Sequence, residues 1–259
     1  MNFVSFFSRW FNAPRPALDP KDPQVIESIY NAIVRDDDSA VKTLLGQGAP
    51  MKEHHFLEAT RRGAVDILQS YLDNGWDINT PMDTHNPPAL AFAFENEKLV
   101  DWFLDHGADP NERCSFQDCT SLSIAVRDAS IAIIKLLFER GGSIERGQLL
   151  HYAAQRKGDD RVEVLQFIFA KNPTFIGKTV NKIKDEDNPE DYCRNLFSGL
   201  GTPLHYAARE GFLDVVQFLL QNGADTQRQD PQGKIALDWA EYYGHEPVVE
   251  ELKNPKVVV

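Results

Sequence analysis

The sequence predicts an all-α array of short, stacked helix pairs, a solenoid rather than a single globular core. Three observations carry that prediction. The stretch TPLHYAAREGFLDVVQFLLQNGAD, residues 202–225, reads as one complete helix-turn-helix unit. Its landmarks recur: Leu237 follows Leu204, and Gly244 follows Gly211, each after 33 residues. Each helix pair is also too short to bury both of its apolar stripes alone, so the pairs must stack on one another.

Within that stretch the elements follow from local chemistry. Thr202 suits a helix N-cap, and Pro203 suits the first helical position, where a missing N–H loses no internal hydrogen bond. Gly211 ends the first helix. Asp214 complements the positive first turn of the second, whose buried stripe is Val215, Val216, Leu219 and Leu220 before Gly223 turns the chain. Upstream, QLLHYAA sets Leu150 and His151 in the same frame, TSLSIAV sets Leu122 and PALAFAF sets Leu90, at steps of 28 and 32 residues. HFLEATRRG supplies Phe56 after a step of 34, and IESIYNAIV supplies a divergent first copy around Ile29 and Ala32. The second-helix endings LLGQGAP, YLDNGWDIN, FLDHGADPN, LFERGGSIE and FLLQNGADT all run apolar residues into a glycine turn.

TPLHYAA, the glycine turn and LLQNGAD together resemble the ankyrin repeat family, whose unit of about 33 residues carries TPLHxAA and LLxxGAD. About seven copies span residues 24–254, with 1–23 as a leading segment and 255–259 as a tail. The match is strongest over 202–244, good over 88–154 and weakest before 50. The resemblance implies an ankyrin-type α-solenoid with β-like finger loops, a concave face built from fingers and first helices, and a protein-binding role as an adaptor. Three departures predict less regular turns: Glu97 stands where the turn glycine belongs, Ser123 replaces the motif histidine and Ile235 replaces the capping threonine.

Composition narrows the partners. Against 27 Lys+Arg stand 39 Asp+Glu, a formal net charge of -12 that repels a phosphate backbone at long range, so nucleic acid is a poor partner. Cys114, Cys119 and Cys193 make no even disulfide framework, and no second Cys or His pair completes a zinc site, which reads as reduced thiols in a cytosolic or nuclear protein. No apolar run is long enough for a membrane-spanning helix. The first residues place Phe3, Phe6, Phe7, Trp10 and Phe11 on one helical face. That face either docks on the array, binds a partner, or serves as a lipid anchor or organelle-targeting segment through residues 1–12. Pro14, Pro16, Pro20 and Pro23 make residues 13–23 a stiff linker.

Chemistry-bearing residues are weighed against scaffold roles. His151 and His205, both in LHYAA, could be offered as an acid/base pair; the family resemblance implies instead a buried histidine that hydrogen-bonds loop to helix. His54, His55, His85, His106 and His245 sit in no HExxH, GxSxG, P-loop or GxGxxG setting, so no catalytic, metal or cofactor site is expected. Cys193, in EDYCRN, is flanked by carboxylates that oppose a thiolate. Asn79 and Asn111 occupy the position that asparaginyl hydroxylases modify in similar ankyrin proteins, against a plain role in stabilising the finger turn.

Two features bear on specificity. In the family, two variable residues ahead of the turn glycine point into the concave groove. Copy by copy these are Arg61 and Arg62, Glu95 and Asn96, Arg127 and Asp128, Gln155 and Arg156, Arg209 and Glu210, and Tyr242 and Tyr243. Arg127, Arg156 and Arg209 would form a ladder that reads an acidic or phosphorylated segment of another protein, unless each is spent on a local pair. The second feature is the stretch 172–201. The interval from Leu150 to Leu204 is 54 residues, 21 beyond the period, with three extra residues in QRKGDDR and the rest in the finger. TFIGKTVNKI could fold back over the groove, KDEDNPED reads as a solvated acidic turn, and deletion of 176–196 is expected to leave the repeats intact.

A monomeric protein-binding adaptor is therefore the leading reading, beside a membrane-peripheral adaptor docked by residues 1–12. The third reading is a small-molecule or catalytic groove covered by 172–201.

Overall fold

A computed structural model describes residues 22–197 and 199–255. The aromatic face of Phe3, Phe6, Phe7, Trp10 and Phe11 lies outside the described residues. The chain divides into two compact units, residues 1–77 and 78–259.

In the first unit, helices α1 (Pro23–Val34), α2 (Asp38–Gly46), α3 (Glu53–Arg62) and α4 (Val65–Asp73) form two pairs. Asp22 caps α1 by accepting from the Gln24 N–H at 2.8 Å, which leaves Pro23 at the start, where its ring is tolerated. First helix stacks on first helix and second on second. Between the layers Ile29, Ile33, Val41, Phe56, Ile67, Leu68 and Tyr71 are fully buried, each contributing roughly 1.5–3 kcal/mol relative to exposure. Trp76 stacks on Phe56 with ring centroids 5.2 Å apart. The divergent first copy is thus a real helix pair.

The second unit opens with a 3-10 turn, Ala89–Phe92, followed by α5 (Glu97–Asp105), α6 (Ser121–Asp128), α7 (Ile131–Glu139), α8 (Leu149–Ala153) and α9 (Arg161–Lys171). Then come α10 (Pro173–Thr179), α11 (Pro189–Asn195), α12 (Pro203–Glu210), α13 (Leu213–Gln221), α14 (Ala236–Tyr243) and α15 (Glu246–Lys253). Helices α6, α8, α12 and α14 stack in one layer, with α9, α13 and α15 in the other. Two fingers close with single antiparallel bridges, Pro81 with Pro88 and Arg113 with Thr120. Among the described residues the two units hold seven pairs, counting the 3-10 turn as a first helix.

The three departures have different outcomes. Without glycine at 97, the first element of its copy tightens to 3-10, and Asn96 caps α5 by accepting from the Leu99 N–H at 3.2 Å. In the regular copy Gly211 holds φ +74, and a Cβ there would sit 2.5 Å from the His245 ring. At Ser123 and Ile235 the expected irregularity is corrected, because other groups perform the missing bond. The Ser123 hydroxyl accepts from the Thr120 N–H at 3.0 Å and donates to the Gly147 carbonyl at 2.7 Å. The Asp238 carboxylate accepts from the Ile235 N–H at 2.9 Å.

Stretch 172–201 is not structureless: it holds α10 and α11 and buries Ile176, Val180, Ile183 and Leu200. Its acidic run is a turn with Glu186, Asp187 and Glu190 exposed as expected, but Asp185 and Asp191 are buried, each only 2% exposed.

Candidate functional site

The C-terminal ends of α6, α8 and α12 bring the same two sequence positions to one face of the second unit. There Arg127, Asp128, Gln155, Arg156, Lys157, Arg209 and Glu210 line an open groove of about 480 Å³. Four of these side chains are cations and two are carboxylates; Arg127, Arg156 and Arg209 each have a carboxylate partner, Asp128, Asp160 and Glu210, which leaves Lys157 as the added positive charge on the groove.

The arginines do not share one role. Arg156 is a strut: its side chain is 6% exposed, it grips Asp160 through two bonds of 2.7 and 2.6 Å, and it donates to the Val126 carbonyl at 3.1 Å. That carbonyl belongs to the last turn of α6, where main-chain acceptors lack helical partners. Arg62 does the same in the first unit, bonding Glu58 and donating to the Val34 carbonyl at 3.0 Å. Arg127 and Arg209 are more open, at 36% and 28% side-chain exposure. Arg127 pairs with Asp128 at 2.7 Å. Arg209 pairs with Glu210 at 2.9 Å, donates to the Gln155 amide oxygen at 3.2 Å and lies 5.1 Å from the Tyr206 ring centroid.

The remaining expected residues fall elsewhere. Arg61 and Arg62 belong to the first unit, and Asn96 is spent as the α5 cap. Tyr242 and Tyr243 are 84% and 51% exposed and meet edge-on at 5.1 Å. They line a neighbouring cleft, also about 480 Å³, together with Arg209, Lys234 and Trp239. Lys157 and Trp239 escape the two-letter pattern. The extra residues of QRKGDDR signal the first, because they carry the chain past the usual turn and leave Lys157 exposed on the groove.

The cover expected over this groove is corrected. Among the described residues none from 172–201 lines the arginine groove; the insert reaches the neighbouring cleft through Gly199 and lines a separate pocket of about 260 Å³ through Phe175, Ile176, Lys182 and Asp185. The insert is drawn instead to the fingers. Asp191 pairs with Arg113 and Arg194, Asn195 donates to the Phe116 carbonyl at 3.1 Å, and Gln148 and Asp185 exchange bonds of 2.6 and 2.7 Å.

The family model for ankyrin repeats, in three copies, matches residues 56–148 and 150–258. The chain belongs to the ankyrin repeat family. It is 33% identical over 153 residues to the transient receptor potential channel pyrexia of Drosophila melanogaster, covering 58% of this chain and 14% of the channel. It is 46% identical over 58 residues to the E3 ubiquitin-protein ligase XBAT33 of Arabidopsis thaliana, covering 22% of this chain and 11% of the ligase. The chain thus spans a small part of these relatives' lengths. Among solved structures, the human ASB11 ankyrin repeat domain superposes with a TM-score of 0.54 at 23% identity, covering 88% of this chain and 99% of that one.

The ankyrin histidines are scaffold in this geometry. His205 Nδ1 accepts from the Thr202 hydroxyl at 2.8 Å and main-chain N–H at 3.2 Å, while its Nε2 donates to the Lys234 carbonyl at 3.0 Å. His151 Nε2 donates to the Lys182 carbonyl at 2.9 Å, but Gln148 stands in the threonine's place and Nδ1 is left unpartnered. Burial pulls His205 below its ordinary pKa and His151 down to about 4, so both rings are neutral at physiological pH.

The ankyrin finger asparagines are tie-bars between successive copies. Asn79 donates to the Gly107 carbonyl at 3.1 Å and accepts from the Asp109 N–H at 2.8 Å. Asn111 repeats this with Gly141 and Ser143 at 2.9 and 2.7 Å. Asn181 does so with Gly223 and Asp225 at 3.0 and 2.7 Å. This third asparagine was hidden from the sequence pattern, because α10 separates it from the helix it should follow.

Among the described residues no helix is long and apolar enough to cross a membrane, and no group of three or more His, Cys, Asp or Glu side chains could hold a metal ion.

Proposed function

We propose that this ankyrin repeat protein is an interaction module whose second unit holds an acidic or phosphorylated segment of a partner protein between Arg127 and Arg209. Ankyrin repeats in general bind protein partners; the choice of an anionic partner is carried by exposed Lys157 on the groove, flanked by Arg127 and Arg209, whose own carboxylate pairs are partly exposed.

The energetics favour exchange of partners. Arg127–Asp128 and Arg209–Glu210 are pairs of adjacent residues at partly exposed sites. Such pairs contribute about 0–1 kcal/mol. A carboxylate or phosphate presented by an ordered partner, with two donors of one guanidinium facing it, gains roughly 1.5–3 kcal/mol per charged hydrogen bond. Tyr242 and Tyr243, beside Arg209 in the next cleft, offer an apolar edge to the same segment.

Isothermal titration with acidic peptides tests the reading. Arg127→Ala and Arg209→Ala should each weaken binding by about fivefold to a hundredfold, whereas Glu210→Gln, which frees Arg209, should strengthen it. Equal affinity in all three variants would remove the groove as the binding site.

A further inference from the structure

The finger between α5 and α6 carries two cysteines that face each other. The antiparallel bridge between Arg113 and Thr120 sets the register, so Cys114 lies opposite Cys119, and the Cys114 N–H donates to the Cys119 carbonyl at 3.0 Å. Directly opposed side chains have Cβ atoms about 4.5–5.5 Å apart, close to the roughly 3.5–4.5 Å of a disulfide. Here both side chains are buried in one cluster with Tyr152, packed against Ile124.

Their surroundings are polar and polarising. At the finger tip the Cys114 thiol donates to the Gln117 carbonyl at 3.3 Å. Cys119 in turn contacts the Tyr152 hydroxyl, which accepts from the Lys184 ammonium at 3.2 Å. That ammonium also lies 4.5 Å from the Tyr152 ring centroid. The Cys114 thiol is drawn below its ordinary range and the Cys119 thiol is pushed above its own, each chiefly by the sulfur it faces. Cys114 is therefore the sulfur that gives up its proton more readily. Both thiols are buried, and Ser115, next to Cys114, is exposed, so solvent lies one residue along the finger from Cys114.

We propose that Cys114 and Cys119 form a site of reversible oxidation, a dithiol that a hydroperoxide converts to an intramolecular disulfide. The Cys114 thiolate attacks one oxygen of hydrogen peroxide. An S–O bond forms, the O–O bond breaks, and hydroxide leaves and is protonated to water. The Cys119 sulfur then attacks the sulfenic sulfur. An S–S bond forms, the S–O bond breaks, and the departing hydroxide takes the Cys119 proton as a second water. Two thiols lose two electrons and the peroxide gains them; a small dithiol reverses the step by exchange. The site adjoins the groove through Tyr152, because the Arg127 guanidinium lies 6.0 Å from the same ring.

The test uses the full chain with Cys193→Ser, which removes the exposed third thiol, treated with hydrogen peroxide, alkylated with iodoacetamide and examined by peptide mass spectrometry. The expected product is a Cys114–Cys119 peptide lighter by two hydrogens, restored by dithiothreitol. With Cys119→Ser as well, dimedone should trap a sulfenic acid on Cys114. The pH midpoint for Cys114 alkylation should then rise toward the ordinary thiol value of about 8.5. Circular dichroism shows that each variant is folded. Two alkylatable thiols after peroxide has consumed Cys193 in the unaltered chain, or oxidation past sulfenic acid without a disulfide, overturns the proposal.

Discussion

Ser123 and His205 occupy the same place in two copies of the repeat and make the same two bonds with different atoms. The ring of His205 spans from Thr202 to Lys234. Ser123 is too short for that span, and Gly147 comes to meet it: a Cβ on Gly147 would lie 2.3 Å from the Ser123 hydroxyl. Ser123→Ala should therefore cost roughly 1–3 kcal/mol in urea unfolding, since buried main-chain groups lose their partners. Ser123→His, although it restores the family residue, should also destabilise, because Gly147 fills the ring's space. A stabilising outcome would contradict this account. A second prediction concerns pH. His151 has a folded pKa of about 4 against an ordinary value of 6.5, so the unfolded chain takes up the proton first as pH falls. Its stabilising contribution is complete above about pH 6.5 and shrinks as pH falls toward about 4, by on the order of 3 kcal/mol. His151→Gln should flatten the stability profile across that window, as urea midpoints would report.

At the scale of elements, the helix pairs were legible because their signals are local. The TPLH start, the turn glycine and the apolar stripe each act within a few residues, and even Glu97 announced a weakened turn. The insert was not legible, because its burial is decided far away in sequence. Asp191 is sealed by Arg113, 78 residues earlier, and nothing local to KDEDNPED distinguishes that carboxylate from a solvated one. Lys184 likewise reads as a surface charge until Tyr152 and the finger at Cys114 are brought beside it. The expectation that deletion of residues 176–196 leaves the repeats intact gains a local consequence. Their deletion should leave the 113–119 finger and α8 with faster amide hydrogen exchange, because Asp191, Asp185 and Lys182 no longer hold them. Asp191→Ala alone should cost about 1–3 kcal/mol, less than a fully buried pair, since Arg113 and Arg194 keep 32% and 39% of their side-chain surface in water. Unchanged exchange in the finger would show that the insert is an ornament.

At the scale of the molecule, the copies differ least where they stack and most where two letters precede each turn. Those letters separate into struts and readers. Arg62 and Arg156 close the preceding helix end, whereas Arg127 and Arg209 hold weak local pairs on an open groove. The sequence placed all of them at one kind of position but could not assign these roles, which depend on whether the neighbouring residue is a carboxylate within reach. The choice of partner is where local and global electrostatics disagree. A net charge of -12 favours a cationic peptide at long range, while the groove favours an anionic one. Fluorescence anisotropy with labelled polyglutamate and polylysine peptides on the full chain separates the two directly. The account predicts that polyglutamate binds, that polylysine does not compete for the groove, and that Arg127→Ala with Arg209→Ala weakens polyglutamate by about tenfold or more, a change of roughly 1.4 kcal/mol. Preference for polylysine, or polyglutamate binding untouched by the double substitution, would contradict it.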